Sequence, residues 1–119
     1  MKTILVIDDE PSILELFKNY LESEDVTVVT AENGKLAESM LERYSPDLII
    51  TDLLMPEKDG IETVRHIKLQ YPEIKIITMS GAGNELFLDA SEMLGADLAI
   101  TKPIDFTQLK TQLADLLPT

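Results

Sequence analysis

The chain has 119 residues, no cysteine, and 22 acidic against 10 basic residues, a formal charge of -12. That length suits one domain able to bury a core without staples, and the lack of cysteine excludes a disulfide framework or a thiolate zinc site. So acidic a chain neither holds nucleic acid by counterion release nor adheres to an anionic membrane. No apolar run approaches the ~20 residues of a membrane span, and the opening "MKTILVIDDE" lacks the longer apolar region and cleavage site of a signal peptide. The expectation is a soluble, cytoplasmic protein with a single domain over residues 1–119.

In chain order, the first strand is "TILVI" at 3–7, and it runs straight into Asp8, Asp9 and Glu10. A helix follows at 11–22. Pro11 suits its first turn, and Ile13, Leu14, Leu16, Phe17, Tyr20 and Leu21 form one apolar stripe. The second strand, "VTVVT" at 26–30, leads to a helix at 34–44 with Leu36, Ala37, Met40, Leu41 and Tyr44 on one face. Ser45-Pro46 ends that helix, because the residue before a proline disfavours helical backbone. The third strand, "DLIIT" at 47–51, delivers Asp52. A helix at 60–70 turns Ile61, Val64 and Ile67 inward, with Asp59 as its cap and Tyr71-Pro72 as its close.

The fourth strand, "IKIIT" at 74–78, leads to Ser80 and then to the glycine-rich Gly81, Ala82 and Gly83. The next helix, 84–94, is expected to be capped by Asn84 and stopped by Gly95. Its "LFL" at 86–88 is too wide an apolar run for one buried face. It reads either as a broad core stripe or as a partly exposed docking surface. The fifth strand, "DLAIT" at 97–101, is followed by Lys102-Pro103. Asp105 and Gln108 form a capping box for a last helix at 106–117, striped by Phe106, Leu109, Leu113 and Leu116.

Alternating apolar strands and amphipathic helices predict an α/β fold. The expected architecture is a five-stranded parallel sheet with helices on both faces, in the doubly wound, flavodoxin-like order 2-1-3-4-5. Ligands in such sheets sit beyond the carboxyl ends of the strands, at the switch point between strands one and three. Asp8, Asp9 and Asp52 then share one pocket. At an effective dielectric of about 20, two like charges ~4 Å apart cost roughly 4 kcal/mol. Either a pKa rises or a cation enters, and oxygen donors without His or Cys select Mg²⁺, or Mn²⁺, over zinc or copper.

Phosphoryl transfer fits this inventory. An aspartate is already ionised and can accept a phosphoryl group directly. The cation, the Lys102 ammonium and the Ser80 hydroxyl would each meet one of the transferring oxygens. His66, in the middle of a helix, reads as a solvated side chain and not as a phosphate carrier, and Met55 as packing near the acceptor loop.

The segments "DDE" at 8–10, "TDLLMPEKDG" at 51–60, "MSG" at 79–81 and "GADLAITKP" at 95–103, each following a predicted strand, together resemble a bacterial response-regulator receiver domain over the full length. The resemblance implies that Asp52 takes phosphate from a histidine kinase or histidine phosphotransfer protein. It implies that Asp9 and Asp52 hold Mg²⁺ with the Leu54 carbonyl, while Asp8 assists through water. Ser80 matches the switch hydroxyl, Lys102 the phosphate-binding lysine, and Pro103 a proline after a cis peptide. Pro56 and Gly60 match the loop after the acceptor. Such domains catalyse only their own phosphorylation and dephosphorylation. They pass the signal to a protein target, or to a phosphorylation-dependent homodimer, through helix four, strand five and helix five.

One position departs from the pattern: Ala99 stands where the family usually has Tyr or Phe. A pseudo-receiver that docks partners without phosphate is the alternative, and a Mg²⁺-dependent aspartyl phosphatase is a further one. The phosphatase reading meets an adjacent acid pair where a DxD spacing is needed and has no room for a cap domain. A flavodoxin needs a phosphate-cradling loop where the acids stand.

Overall fold

The computed structural model describes residues 2–54, 60–81 and 83–117. Strands β1 (Lys2–Ile7), β2 (Val26–Ala31), β3 (Leu48–Asp52), β4 (Lys75–Ser80) and β5 (Leu98–Thr101) alternate with helices α1 (Pro11–Leu21), α2 (Gly34–Tyr44), α3 (Gly60–Gln70), α4 (Glu85–Met93) and α5 (Phe106–Leu116). All the strand pairs are parallel, in the order β2-β1-β3-β4-β5. The expected topology is therefore present, with element ends displaced by one or two residues.

The central strands are apolar without interruption because both of their faces are covered. Ile4, Leu5, Val6 and Ile7 are all buried, and alternate residues enter opposite cores. Leu5, Ile7, Ile49 and Ile76 pack with Leu41, Val64, Ile67 and Leu88 of α2, α3 and α4. Ile4, Val6, Ile50 and Met79 pack with Phe17, Leu109 and Leu113 of α1 and α5.

The α1 stripe is narrower than its sequence implies. Leu14, Phe17 and Leu21 are buried, whereas Leu16 and Tyr20 are exposed. Six apolar residues subtend a wider arc than the sheet covers, so the far flank stays in solvent. Tyr20 stacks instead on Phe106 at 4.5 Å, and Phe17 meets that same ring edge-on at 5.1 Å. Leu36 and Tyr44 of α2 are exposed for the same reason.

Helix ends follow local chemistry. The Asn33 side chain accepts from Leu36 N–H and the Asp105 side chain from Gln108 N–H. Ser45 closes α2 in the left-handed region, with φ 44°. Asn84 does not cap α4 with its side chain, contrary to expectation. Its backbone (φ -110°, ψ 29°) lies outside the extended region from which a cap folds back over the first turn. Its carbonyl accepts from Phe87 and Leu88 instead. The cap assigned to Asp59 falls outside the described residues, as do Met55, Pro56 and Ala82.

Two acids lock the amino edge of the sheet. Asp47 accepts from Thr3 N–H at 2.8 Å. Asp97 accepts from Ile76 N–H at 2.8 Å and pairs with Lys68 at 3.3 Å, and Lys68 also reaches the Ile74 carbonyl. Gly95, at φ 119°, leaves room for that lysine. These acids satisfy backbone donors where strands begin and are unavailable for chemistry at the opposite edge.

Truncating Phe17, which is fully buried beneath α5, should cost about 3–5 kcal/mol in Phe17→Ala. The measure is the shift of the urea unfolding midpoint at unchanged slope.

Candidate functional site

The carboxyl edge gathers side chains from three strand ends. Asp8 follows β1 and is fully buried. Its N–H donates to the Ala31 carbonyl, which fixes it beside β2. Asp52 ends β3, one residue before Leu53, whose N–H continues the ladder to the Met79 carbonyl at 3.0 Å. Lys102 follows β5, and its N–H donates to the Ser80 carbonyl at 2.8 Å. The peptide between Lys102 and Pro103 is cis.

From those anchors the side chains converge. Lys102 Nζ lies 2.9 Å from Asp8 Oδ2 and 3.4 Å from Asp52 Oδ2. Asp8 Oδ1 accepts from Glu10 N–H at 2.9 Å, holding the turn that leads into α1. Asp52 Oδ1 accepts a long hydrogen bond, 3.4 Å, from the N–H of Leu54, an exposed residue at the rim. A second group of acids adjoins this one. The carboxylates of Asp8, Asp9 and Glu10 lie within 4.8 Å of one another, with Asp9 and Glu10 exposed.

Asp8 thus belongs to both groups, whereas Asp52 lies outside the cluster of three and meets Asp8 through the lysine. Glu10 was legible as the last acid of the "DDE" run after the first strand, with no role given to it. Its place among the acids comes from the turn that Asp8 holds.

Burial holds the Asp52 carboxyl above the usual aspartate range. The negative charge of Asp8 pushes the same way, and the charge of Lys102 opposes both. Burial alone would lower Lys102, but its hydrogen bond to Asp8 and the charges of Asp52 and Asp8 raise it above its ordinary value. The lysine is therefore firmly cationic, while Asp52 binds its proton more tightly than in the unfolded chain.

Ser80 is fully buried, and its hydroxyl finds no hydrogen-bond partner among the described residues. A buried hydroxyl normally has one. Thr78, two residues back on the same face of β4, is joined to Ser91 of α4, oxygen to oxygen at 2.7 Å, and Ser91 also donates to the Leu88 carbonyl. Ala99 pairs with Thr78 in the β4–β5 register and packs on the α2–α4 side of the sheet. Sequence reading passed over the Thr78–Ser91 pair, since neither residue stands out until α4 is laid on β4.

Gly60 opens α3 directly over the end of β3. A Cβ there would collide with Leu53 Cα and come within 2.7 Å of the Leu53 carbonyl oxygen and 2.8 Å of that of Asp52. All three are backbone atoms with little freedom to yield. His66 is exposed on α3.

The donor set suits a hard divalent ion: carboxylates only, crowded, with one of them made costly to ionise by burial. Fold and edge together define a doubly wound α/β domain with an acid–lysine site at its switch point. Residues 4–114 match the response regulator receiver domain family. The chemotaxis protein CheY of Halobacterium salinarum is 34% identical over 116 residues, covering 98% of this chain and 97% of that protein. The response regulator GtcR of Aneurinibacillus migulanus is 35% identical over 104 residues, covering 87% of this chain; the chain spans only 43% of that relative's length.

Among solved structures, the receiver domain of NtrX from Brucella abortus superposes with a TM-score of 0.91 at 30% identity, covering 98% of both chains. A receiver domain protein from Clostridium thermocellum does so with 0.90 at 30% identity, covering 98% of this chain and 94% of the other. The chain belongs to the response regulator receiver domain family, the signalling domain of two-component systems. No helix among the described residues is long and apolar enough to cross a membrane.

Two outcomes test the electrostatics and the packing. Because folding raises the Asp52 pKa, the linked stability is complete below the ordinary aspartate range and is lost as pH climbs through the raised value. Urea midpoints of Asp52→Asn and wild type should therefore diverge in favour of the variant as pH goes from acid to neutral. Gly60→Ala should cost about 1–3 kcal/mol by overpacking, read from the same urea titration, and should weaken any chemistry at Asp52.

Proposed function

We propose that Asp52 is the phosphoacceptor, taking a phosphoryl group from a phosphohistidine of a histidine kinase or phosphotransfer protein. What carries this reading is the Asp8–Lys102–Asp52 contact beside a buried, unpartnered Ser80 hydroxyl. That arrangement offers a nucleophilic carboxylate, a fixed cation and a spare donor at one strand edge.

In the step itself, an Asp52 carboxylate oxygen forms a bond to phosphorus as the phosphorus–nitrogen bond of the donor breaks. The departing electron pair stays on the imidazole, which then takes up a proton. Lys102 meets the negative charge that arrives with the phosphoryl oxygens. It is already desolvated and held by Asp8, so little reorganisation is needed.

Asp9 and Asp52, with the Leu54 carbonyl and with Asp8 assisting through water, would hold Mg²⁺, or Mn²⁺ in its place. When bound, such an ion supplies positive charge against the phosphoryl oxygens and offsets the crowding of carboxylates. The chain is not a turnover enzyme on this reading. It promotes only its own phosphorylation and dephosphorylation.

The output follows from Ser80. Its hydroxyl gains a partner when phosphoryl oxygens arrive, and its strand carries Thr78, tied to Ser91 of α4. That hydroxyl pair offers a route from site to helix in a chain whose position 99 is alanine. The responding surface is α4, β5 and α5, open to a downstream protein or to a second copy of the chain.

Incubation with acetyl phosphate and Mg²⁺ should add one phosphoryl group to the intact protein, read by mass spectrometry. Asp52→Asn and chelation of the metal should each abolish labelling. Lys102→Ala should slow it by at least ~100-fold, the usual scale for loss of one fixed electrostatic stabiliser. Undiminished labelling of Asp52→Asn would place the acceptor elsewhere.

A further inference from the structure

The outer surface of α4 carries two parallel rows of side chains. Leu86, Ala90 and Met93 recur at the helical spacing that puts them on one face. Leu86 is 84% exposed and Met93 88%. They cannot belong to the core, because Leu88 and Ser91 already fill the face turned to the sheet. Phe87 and Leu94, exposed by 46% and 40%, widen the apolar row on one side.

On its other side runs a row of acids at the same spacing: Glu85, Asp89 and Glu92. Glu85 sits in the first turn, where the helix dipole favours it, and accepts from Gly83 N–H. Asp89 and Glu92 have no ion-pair partner among the described residues. No Lys, Arg or His occurs anywhere from Gly81 to Asp97. Like charges at this spacing destabilise a helix, and α4 carries no basic side chain to offset them. A contiguous apolar row at such exposure marks an interaction surface.

Charge complementarity selects the partner. A second copy would bring acid row against acid row, and an anionic membrane or nucleic acid would be repelled. We infer that α4 docks a cationic amphipathic helix of a partner protein. Its apolar face would cover Leu86, Ala90 and Met93, and its Lys or Arg residues would face Glu85, Asp89 and Glu92. This deepens the output surface proposed above and rests on that reading only for its regulation. The rows are present on the unphosphorylated chain.

The test is a fluorescence anisotropy titration of the unphosphorylated full chain. The probe is a synthetic helical peptide of about 15 residues, long enough to form several turns, with Leu on one face and Lys on the other. A matched Leu/Glu peptide is the control. Binding should be saturable and should weaken with added salt. Leu86→Ser/Met93→Ser and Asp89→Lys/Glu92→Lys should each weaken it by about tenfold or more, as expected for loss of anchoring contacts. Glu15→Lys/Glu42→Lys changes net charge equally at exposed sites on α1 and α2 and should leave binding near wild type.

The inference fails if the Lys peptide does not bind, if the Glu peptide binds as well, or if the control variant weakens binding as much as the α4 variants do. It also fails if sedimentation shows a dimer that Leu86→Ser/Met93→Ser dissolves, since a second copy would then cover the row. Acetyl phosphate labelling of the wild-type chain is scored separately. Loss of labelling with intact peptide binding would remove the phosphoacceptor reading alone, and the reverse result would remove this one alone.

Discussion

A single ammonium between two buried carboxylates organises the carboxyl edge of this protein. Lys102 Nζ touches Asp8 at 2.9 Å and Asp52 at 3.4 Å, and the residues come from three different strand ends. Two carboxylates so close would repel strongly at low dielectric, and burial makes the ionised form of Asp52 costlier still. The lysine offsets part of that cost and leaves the rest standing. A site balanced in this way keeps more negative than positive charge at one buried edge.

The rest of the fold exists to hold that balance. A parallel sheet brings β1, β3 and β5 to one edge facing the same way, and buried apolar faces on both sides fix their register. Backbone bonds finish the placement: Asp8 N–H to Ala31, Leu53 N–H to Met79, Lys102 N–H to Ser80. Gly60 lets the start of α3 press on the end of β3. At the opposite edge, Asp47 and Asp97 cap the starts of neighbouring strands, so acids of one chemical type have two unrelated tasks.

Ala99 leaves the β4–β5 side of the sheet without an aromatic ring beside Thr78. There the Thr78–Ser91 hydroxyl pair joins β4 to α4, two residues from Ser80, whose hydroxyl has no partner among the described residues. Buried hydroxyls are costly to unpair, which favours keeping this contact intact. It ends on α4, whose outer face carries an apolar row beside a row of acids.

The order of strands and helices, the apolar residues of both cores and the acids at strand ends were all legible in the chain, because periodicity and turn chemistry are local properties. So were the Asp105 cap and the break at Ser45-Pro46. Other features needed the packed molecule. Sequence offered six apolar residues for α1, and only the width of the sheet decided that Leu16 and Tyr20 stay outside. It offered Asn84 as a cap, and the backbone angle there removed the option. It offered three adjacent acids, but which of them is buried against Lys102, and which remain in solvent, depends on chain segments 94 residues apart in sequence. Charge and residue type are written along the chain; distance between charges, and hence the energy of their meeting, arises only when the strands are laid side by side.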